Sequence, residues 1–445
     1  MFLRSYLRLT QLCVLCVFCL SVSRVPAQDL NSIHKDLDRL AQEVESQVIA
    51  WRRDFHQHPE LSNREFRTAK IVADHLTQLG MKVQTDVAHT GVVGILRGKP
   101  GGPVVALRAD MDALPVTEEV DLPFASKVRT TYNGQEVGVM HACGHDAHTA
   151  VLMGVAKVLS EVRGRLPGTV KFIFQPAEEG APTGEEGGAA LMIKEGVLEN
   201  PTPTAIFGLH VGPDPWGKIS YKARGMMASA NRLEIIVHGR QTHGAMPWFG
   251  QDPIVVAAQI VMGLQTIVSR QLPLTKAPAV VSIGSIHGGN RSNIIPDKVE
   301  MIGTIRALDA KMRQDIHWRI RRTVTKIAES AGATAKVTIE TQGLPITYND
   351  PELTSQMTPT LRRVAGEDNI NANRDPLTGA EDFSLYQEQI PGLFFFLGSV
   401  PREADQSTLV PPHSPRFFVD ERGLILGVRA LSNLALDYLF MQSIK

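Results

Sequence analysis

Short, predominantly apolar runs recur in the first half of the chain and again near its end. They cover residues 104–107, 170–174, 206–209 and 393–397. Apolar runs without alternation are typical of strands that are buried on both faces of a parallel sheet. Between the first two runs, residues 149–162 place Leu152, Val155 and Leu159 at helical spacing. This alternation of strands and helices predicts an α/β sheet.

Residues 223–342 show a different pattern. It predicts, in order, a strand, a helix, two strands, a helix and a strand, at residues 233–237, 253–268, 280–286, 299–306, 310–331 and 336–340. The order β-α-β-β-α-β is the ferredoxin-like arrangement, and the segment is long enough for a small domain. We therefore predict an α/β domain made of residues 28–222 and 343–445, interrupted by an inserted α+β domain at 223–342. Residues 28–45 are interpreted as a polar lead-in to a helix.

The N-terminus has the pattern of a secretory signal. Arg4 and Arg8 precede an apolar run at 12–22, and small residues follow up to Ala27. The alternative is an uncleaved membrane anchor, but the run is far shorter than the roughly 18 residues that a spanning helix needs. We therefore predict that residues 1–27 are removed. The mature protein is then exported to the periplasm or the extracellular space, without a membrane partner.

Charge and cysteine content narrow the function further. Lys plus Arg and Asp plus Glu both number 46, so the formal net charge is zero. Nothing indicates a nucleic-acid partner, and a small molecule or another protein is expected. Three of the four cysteines fall in the predicted leader, which leaves Cys143 alone and excludes an internal disulfide. A lone thiol in an oxidising compartment is exposed to oxidation unless a ligand such as a metal occupies it.

Polar clusters follow three of the predicted strands. Residues 108–112 read Arg-Ala-Asp-Met-Asp, residues 175–179 read Gln-Pro-Ala-Glu-Glu, and His210 follows the third run. Ligands of open α/β sheets gather beyond the carboxyl ends of the strands. These clusters therefore predict one shared site.

The densest cluster lies at residues 141–148, where one thiol, three imidazoles and a carboxylate occur in eight residues. Each of these groups binds zinc or a similar divalent ion. Cys143 and His145 can reach one centre from a turn, and His145 and His148 share a face if the helix begins early. The alternative is a set of residues that only cap the helix. Five candidate ligands in eight residues favour a metal.

Glu178 and Glu179 form a second candidate feature. Adjacent carboxylates after a strand point in different directions, so one can bind metal while the other accepts a proton from water. The alternative is a solvated pair, as we expect for Glu185 and Glu186. His210 and His413, each taken alone, have a structural or a surface interpretation.

Four segments resemble a known family. They read RADMDALP at 108–115, MHACGHDAHTA at 140–150, QPAEE at 175–179 and GAEDF at 379–383. In this order they resemble the zinc-peptidase family of aminoacylase and carboxypeptidase G. Within it they are most similar to the amidohydrolase branch of hippurate hydrolase and the plant indole-acetyl amino acid hydrolases. The resemblance covers nearly all of the chain after the leader.

The resemblance implies a fold and a site. The fold is a metallopeptidase-type α/β catalytic domain with an inserted ferredoxin-like lid. Two divalent ions (Zn, Mn, Co or Ni) have the ligands Cys143, His145, Glu179, His210 and His413. Glu178 is the general base and then the general acid, and His243 on the lid polarises the substrate carbonyl. Asn293, Arg306 and Gly379 bind substrate, although Arg306 could equally form a strand-end salt bridge. Thr242 and Gly244, which flank His243, depart from the serine or alanine that is common in relatives.

We therefore predict a metal-dependent amidohydrolase that cleaves N-acyl amino acids, with hippurate-like or N-acetyl substrates. A dipeptidase or carboxypeptidase on the same two-metal scaffold is one alternative, and a non-catalytic ligand-binding relative is another. Inserted domains of this kind often pair subunits, so a homodimer through residues 223–342 is also expected.

Overall fold

The computed structural model describes residues 27–341, 343–405 and 409–444. The predicted leader, with its three cysteines, lies outside these residues apart from Ala27, and its removal stays a prediction. The helices of the described residues are α1 Ala27–Gln57, α2 Phe66–Gln78, α3 His145–Glu161, α4 Gly188–Lys194, α5 Pro253–Thr266, α6 Ala310–Ser330, α7 Pro351–Ala365, α8 Phe383–Gln387 and α9 Leu424–Ser443.

The strands are β1 Lys82–Val87, β2 Gly91–Arg97, β3 Val104–Asp110, β4 Arg129–Tyr132, β5 Gln135–Gly138, β6 Thr169–Gln175, β7 Ala205–Pro215, β8 Ile219–Ser220, β9 Arg224–Met227, β10 Ser229–His238, β11 Thr242–His243, β12 Ala279–Gly288, β13 Ile294–Ile295, β14 Lys298–Ala307, β15 Thr334–Ile339, β16 Thr347–Asn349, β17 Ile370–Asn371 and β18 Gly392–Val400.

The largest sheet has eight strands in the order β1-β2-β6-β3-β7-β18-β8-β17. The four strands predicted from apolar runs are its contiguous centre, and β6, β3, β7 and β18 pair with one another in parallel. Their residues are almost all buried, because helices cover the sheet. β1 and β2 extend one edge in antiparallel pairing. The predicted α/β fold class is confirmed.

Helix α1 corrects one prediction. Residues 28–45 are the first part of this helix rather than a lead-in to it. Ile33, Leu37, Ala41 and Val48 are buried against the core at intervals that repeat every three to four residues or multiples of them. The polar residues between them face solvent, so the average composition of the segment does not reveal its buried residues. α1 packs against α3 and α9, and both of these contact β3.

The inserted segment forms a second sheet in the order β12-β14-β10-β15, with every pair antiparallel. Helices α5 and α6 pack on it, and Leu233, Ile260, Ile305 and Ile320 belong to its own buried core. The strand and helix order is the predicted β-α-β-β-α-β. The exact domain boundaries at 222 and 342 stay predictions.

Among the described residues, two helical stretches are long and apolar enough to cross a membrane by length and composition. Glu421–Ser443 contains α9, and 78% of its apolar window is buried inside the protein, so core packing accounts for its composition. Pro253–Gln271 contains α5, and only 33% of its window is buried. α5 therefore exposes an apolar face that no other part of the described chain covers.

Candidate metal centre

Cys143 and His145 are placed by the turn that opens α3. Gly144 adopts the left-handed conformation at φ 91°, and a Cβ atom there would lie 2.4 Å from a methyl group of Val211. The helix begins at His145, earlier than the pattern of apolar residues indicates. His145 and His148 therefore share a face, and their ring centroids are 5.4 Å apart.

His210 lies inside β7, which continues to Pro215, and not at the end of a strand as predicted. The strand is longer because residues up to Pro215 keep their pairing with β18. The Nδ1 atom of His210 is 2.6 Å from the carbonyl oxygen of Val211, so it carries the donated proton. Its Nε2 atom lies 3.4 Å from the Sγ atom of Cys143.

Glu179 and His413 close the other side of the cluster. The Nε2 atom of His413 lies 3.0 Å from Oε1 of Glu179. His413 has a φ of 66°, and its backbone amide donates a hydrogen bond of 2.8 Å to the carbonyl oxygen of Ala142. The Pro-rich loop is thus fixed directly against the segment that contains Cys143.

The five predicted ligands come together as two groups that share Cys143. One contains Cys143, His145 and His210, and the other contains Cys143, Glu179 and His413; within each group the donor atoms lie within 4.8 Å of one another. The Nε2 atom of His145 is buried and has no hydrogen-bond partner among the described residues. Thiolate, imidazole and carboxylate donors in this arrangement fit two divalent transition-metal ions.

The other two histidines of the cluster differ from His145. His148 uses both ring nitrogens, because Nδ1 is 2.6 Å from Oδ1 of Asp110 and Nε2 accepts the amide proton of Val211 at 2.9 Å. It fixes two strands and has no free lone pair for a metal. His141 is buried with neither nitrogen hydrogen-bonded within the described chain, and burial lowers its pKa to about 4.

Electrostatics favour the ionised thiol. Burial alone would raise the pKa of Cys143, but attraction to His210 and hydrogen bonds from the neighbouring histidines lower it to about 6. The thiolate is the form that binds metal ions. The surroundings of Cys143 therefore prepare it as a ligand.

Glu178 lies among carboxylates. Its Oε1 atom accepts the amide proton of Asp382 at 3.3 Å, and Glu381 and Asp382 are buried beside it. Burial and these neighbours raise the pKa of Glu178 well above its usual range. Arg108, fully buried, makes ion pairs of 3.0 Å with Glu381 and 2.8 Å with Asp382. A carboxyl group with a raised pKa can both accept and return a proton near neutral pH.

Sequence reasoning did not assign a role to Asp112, although the RADMD segment contains it. Its Oδ1 lies 3.2 Å from Nδ1 of His145, and Ser62 donates 2.8 Å to its Oδ2. The backbone amides of Glu178 and Glu179 donate to the same carboxylate at 3.1 and 3.0 Å. Asp112 therefore orients one predicted ligand and the loop that contains another.

A cavity of about 820 Å³ adjoins the cluster, which is within the usual size of small-molecule sites. Cys143, Glu178, Glu179, His210 and His413 line one end of it, and Arg306 and Gly379 also line it. Much of the remaining wall is apolar, from residues such as Met227, Leu344, Leu377, Phe396 and Phe418. Arg306 is half-buried and makes no ion pair or side-chain hydrogen bond with any described residue.

His243 and Asn293 are brought together, but elsewhere. His243 pairs with Ile294 between β11 and β13, and the amide of Gly244 donates 2.8 Å to the carbonyl oxygen of Asn293. Both residues are exposed, and neither is among the described residues that line the 820 Å³ cavity. Their proposed contact with substrate therefore requires a movement or a second subunit.

Comparisons with known proteins identify the family. Residues 106–437 match the model of peptidase family M20/M25/M40. Thermostable carboxypeptidase 2 of Saccharolobus solfataricus is 41% identical over 89% of this chain and 96% of its own. N-acetylcysteine deacetylase of Bacillus subtilis is 40% identical over 88% and 96%. IAA-amino acid hydrolase ILR1-like 2 of Arabidopsis thaliana is 37% identical over 96% and 94%.

Solved structures give the same result. The dinuclear metal binding peptidase YXEP of Bacillus subtilis, from the M20 family, has a TM-score of 0.74 and 37% identity, over 89% of this chain and 99% of its own. A putative aminohydrolase from methicillin-resistant Staphylococcus aureus has a TM-score of 0.82 and 35% identity, over 91% and 100%. The chain belongs to peptidase family M20/M25/M40, in its amidohydrolase branch, and is a metal-dependent hydrolase of amide bonds.

Proposed function

We propose that the protein hydrolyses N-acyl amino acids, releasing a carboxylic acid and the free amino acid. The observation that best supports this is the guanidinium of Arg306, which has no partner among the described residues and lines the same cavity as four of the candidate metal ligands. A half-buried cation without a partner has lost part of its hydration without compensation. The carboxylate of an amino acid supplies the missing partner, and the apolar wall accommodates the acyl group or the side chain.

The proposed mechanism assigns a role to each group in the cavity. When bound, two divalent ions lower the pKa of a water molecule and withdraw electron density from the substrate carbonyl. Glu178 accepts the proton of the attacking water and later donates it to the leaving nitrogen, so that the amide and one water give an acid and an amine. Arg306 and the exposed backbone of Gly379 hold the substrate in place.

His243 is proposed to stabilise the negative charge that develops on the carbonyl oxygen, with Asn293 beside it. Neither residue lines the cavity within one described chain. We propose that closure of the inserted sheet or pairing of two subunits brings them to the substrate.

Pairing of two copies is supported by the uncovered face of the inserted segment. Val255 and Met262 of α5 are 53% and 70% exposed, and Ile286 is 51% exposed on the edge strand β12. Adjacent exposed apolar residues on a helix and on a strand edge are typical of interfaces. Sedimentation of Met262→Glu should show a smaller species than the wild type, with Phe66→Glu, exposed on α2, as the matched control.

Export is proposed from the leader-like sequence of residues 1–27 and from the lone remaining cysteine. Mass spectrometry of the protein expressed from its full sequence should show a mature N-terminus near residue 28. A full-length chain retained in the cytoplasm would contradict export but would leave the reaction untouched.

The test of the reaction is a substrate panel. Purified protein should hydrolyse N-benzoyl-glycine or N-acetyl amino acids in the presence of Zn²⁺, Mn²⁺ or Co²⁺, and a chelator should abolish this turnover. Faster turnover of dipeptides than of every N-acyl amino acid would favour the dipeptidase alternative. The Saccharolobus relative is named a carboxypeptidase, so peptides are a necessary part of the panel.

A further inference from the structure

The loop after β6 directs three consecutive backbone amides at two buried carboxyl groups. The amides of Glu178 and Glu179 donate to Asp112, and the preceding amide, of Ala177, donates 2.9 Å to Oε1 of Glu65. This loop contains both the proposed general base and a proposed metal ligand. Glu65 lies far away in sequence, at the start of α2, and no segment of the family resemblance includes it.

Ala177 has a conformation that needs external support. Its φ is 52°, in the left-handed region that residues with a Cβ atom adopt rarely. It is buried, and its amide is the first of the three that face the carboxyl groups. Without the acceptor on Glu65, this buried amide would have no hydrogen-bond partner. Relaxation of the loop toward an ordinary backbone conformation would then lower its free energy. Relaxation there would redirect Glu178 and Glu179.

Burial of the Glu65 carboxyl group at this position is energetically unfavourable. Its side chain is fully buried and makes no ion pair among the described residues. Thr90 donates a hydrogen bond of 2.5 Å to its Oε2, and Ala177 donates to its Oε1. Burial and the nearby Asp112 carboxylate raise the pKa of Glu65 to about 8. A neutral apolar side chain would avoid this cost, so the two hydrogen bonds are the reason for a carboxyl group here.

Helix capping does not explain Glu65. It stands at the N-cap position of α2, but its side chain makes no capping hydrogen bond. Glu60 takes that role, since its two oxygens accept the amides of Arg67 and Thr68 at 2.9 and 2.8 Å. The chain thus has two glutamates near one helix end, one that binds the helix and one that binds the loop after β6.

We propose that Glu65 is a positioning residue, which holds Ala177 in its left-handed conformation and thereby aims Glu178 at the substrate and Glu179 at the metal site. This inference rests on the proposed roles of Glu178 and Glu179. The contact runs from the side chain of Glu65 to a backbone amide, so what matters is an acceptor oxygen at that position. A carboxamide oxygen can supply it as well as a carboxyl oxygen.

The test compares Glu65→Leu, Glu65→Gln and Glu60→Leu. Each variant is measured for kcat, KM, thermal stability and Co²⁺ affinity by competition with a chelator. Loss of an outer-shell partner lowers metal affinity or activity about 10- to 100-fold. We expect a loss of this size in kcat and in Co²⁺ affinity for Glu65→Leu, with KM nearly unchanged, and recovery to within a few-fold of wild type in Glu65→Gln. Glu60→Leu should lower only the melting temperature.

Three results would overturn the proposal. The first is that Glu65→Leu matches Glu60→Leu, with reduced stability but wild-type kcat and Co²⁺ affinity. The second is that Glu65→Gln is as impaired as Glu65→Leu, which would make the charge and not the acceptor decisive. If Glu65→Leu does not fold, Thr90→Val removes the second hydrogen bond of Glu65 and should give a smaller loss in the same direction; no loss there counts against the proposal. Co²⁺ affinity separates this outcome from failure of the proposed reaction, because it can be read without any substrate.

Discussion

Replacement of Arg306 by methionine tests how the substrate is recognised. Arg306 lies in β14 between Ala230 and Val280 of the neighbouring strands, and its guanidinium has no partner among the described residues. Burial lowers its pKa, which shows that its charge is incompletely solvated. A hydrogen bond to a charged group contributes about 1.5–3 kcal/mol. Since about 1.4 kcal/mol is a factor of ten in binding, loss of a substrate carboxylate contact should raise KM about 10- to 150-fold.

The same structure predicts the effect on stability. Arg306→Met removes no ion pair and no side-chain hydrogen bond within the described chain, and it removes a partly buried charge. We therefore expect the free energy of unfolding to stay equal or to increase slightly. A catalytic or packing defect would instead lower kcat or the melting temperature.

The assay is steady-state hydrolysis of an N-acyl amino acid and of the matching N-acyl amino acid amide, which lacks the carboxylate. Arg306→Met should raise KM for the acid and leave the amide nearly unaffected. Arg232→Met is the control, because Arg232 is exposed on the adjacent strand β10 and pairs with Glu234. An equal rise in KM for both substrates, or no rise at all, would refute the assigned role of Arg306.

Three further predictions concern the buried polar groups. Asp112→Ala should lower metal affinity about 10- to 100-fold, measured by chelator competition, because it removes the acceptor for His145 and for two loop amides. Arg108→Met should lower the free energy of unfolding in urea by about 3–5 kcal/mol, because it leaves buried carboxylates without their cation. Burial lowers the pKa of Lys171 to about 8, below its usual value, so the folded state holds its proton less tightly than the unfolded state. Stability should therefore rise as the pH increases from 8 to 10, and Lys171→Met should weaken this rise in urea denaturation at the two pH values.

The central sheet was predictable because its four parallel strands are predominantly apolar runs. β1 was not, since its edge position leaves it largely exposed and its pattern polar. β2 was missed although its residues are mostly apolar and buried. α1 was only partly recognised, because its buried stripe is diluted by charged residues on the solvent side. Local composition predicts a strand well where both faces of the strand are covered, and poorly at the edge of a sheet.

The five candidate metal ligands, which comprise three donor types, were predictable from known motifs, and the structure brings all five together. The groups that orient them were not, because their roles depend on contacts between residues far apart in sequence. Glu65 reaches Ala177 across 112 positions, and Asp112 reaches the loop after β6 across 66 or 67. For His243 the reverse holds. Its motif could be recognised in the sequence, but its position away from the cavity became evident only in the structure.

The most direct measurement of the central claim is the turnover of Glu178→Gln with its metal content determined in the same sample. The glutamine keeps the size of the side chain and its oxygen, but it cannot accept the proton of the attacking water. We predict two bound divalent ions per chain, as in the wild type, and a kcat lower by about 100-fold or more. Turnover near the wild-type rate with both ions bound would contradict the assignment of Glu178 as the proton-transferring group of this amidohydrolase.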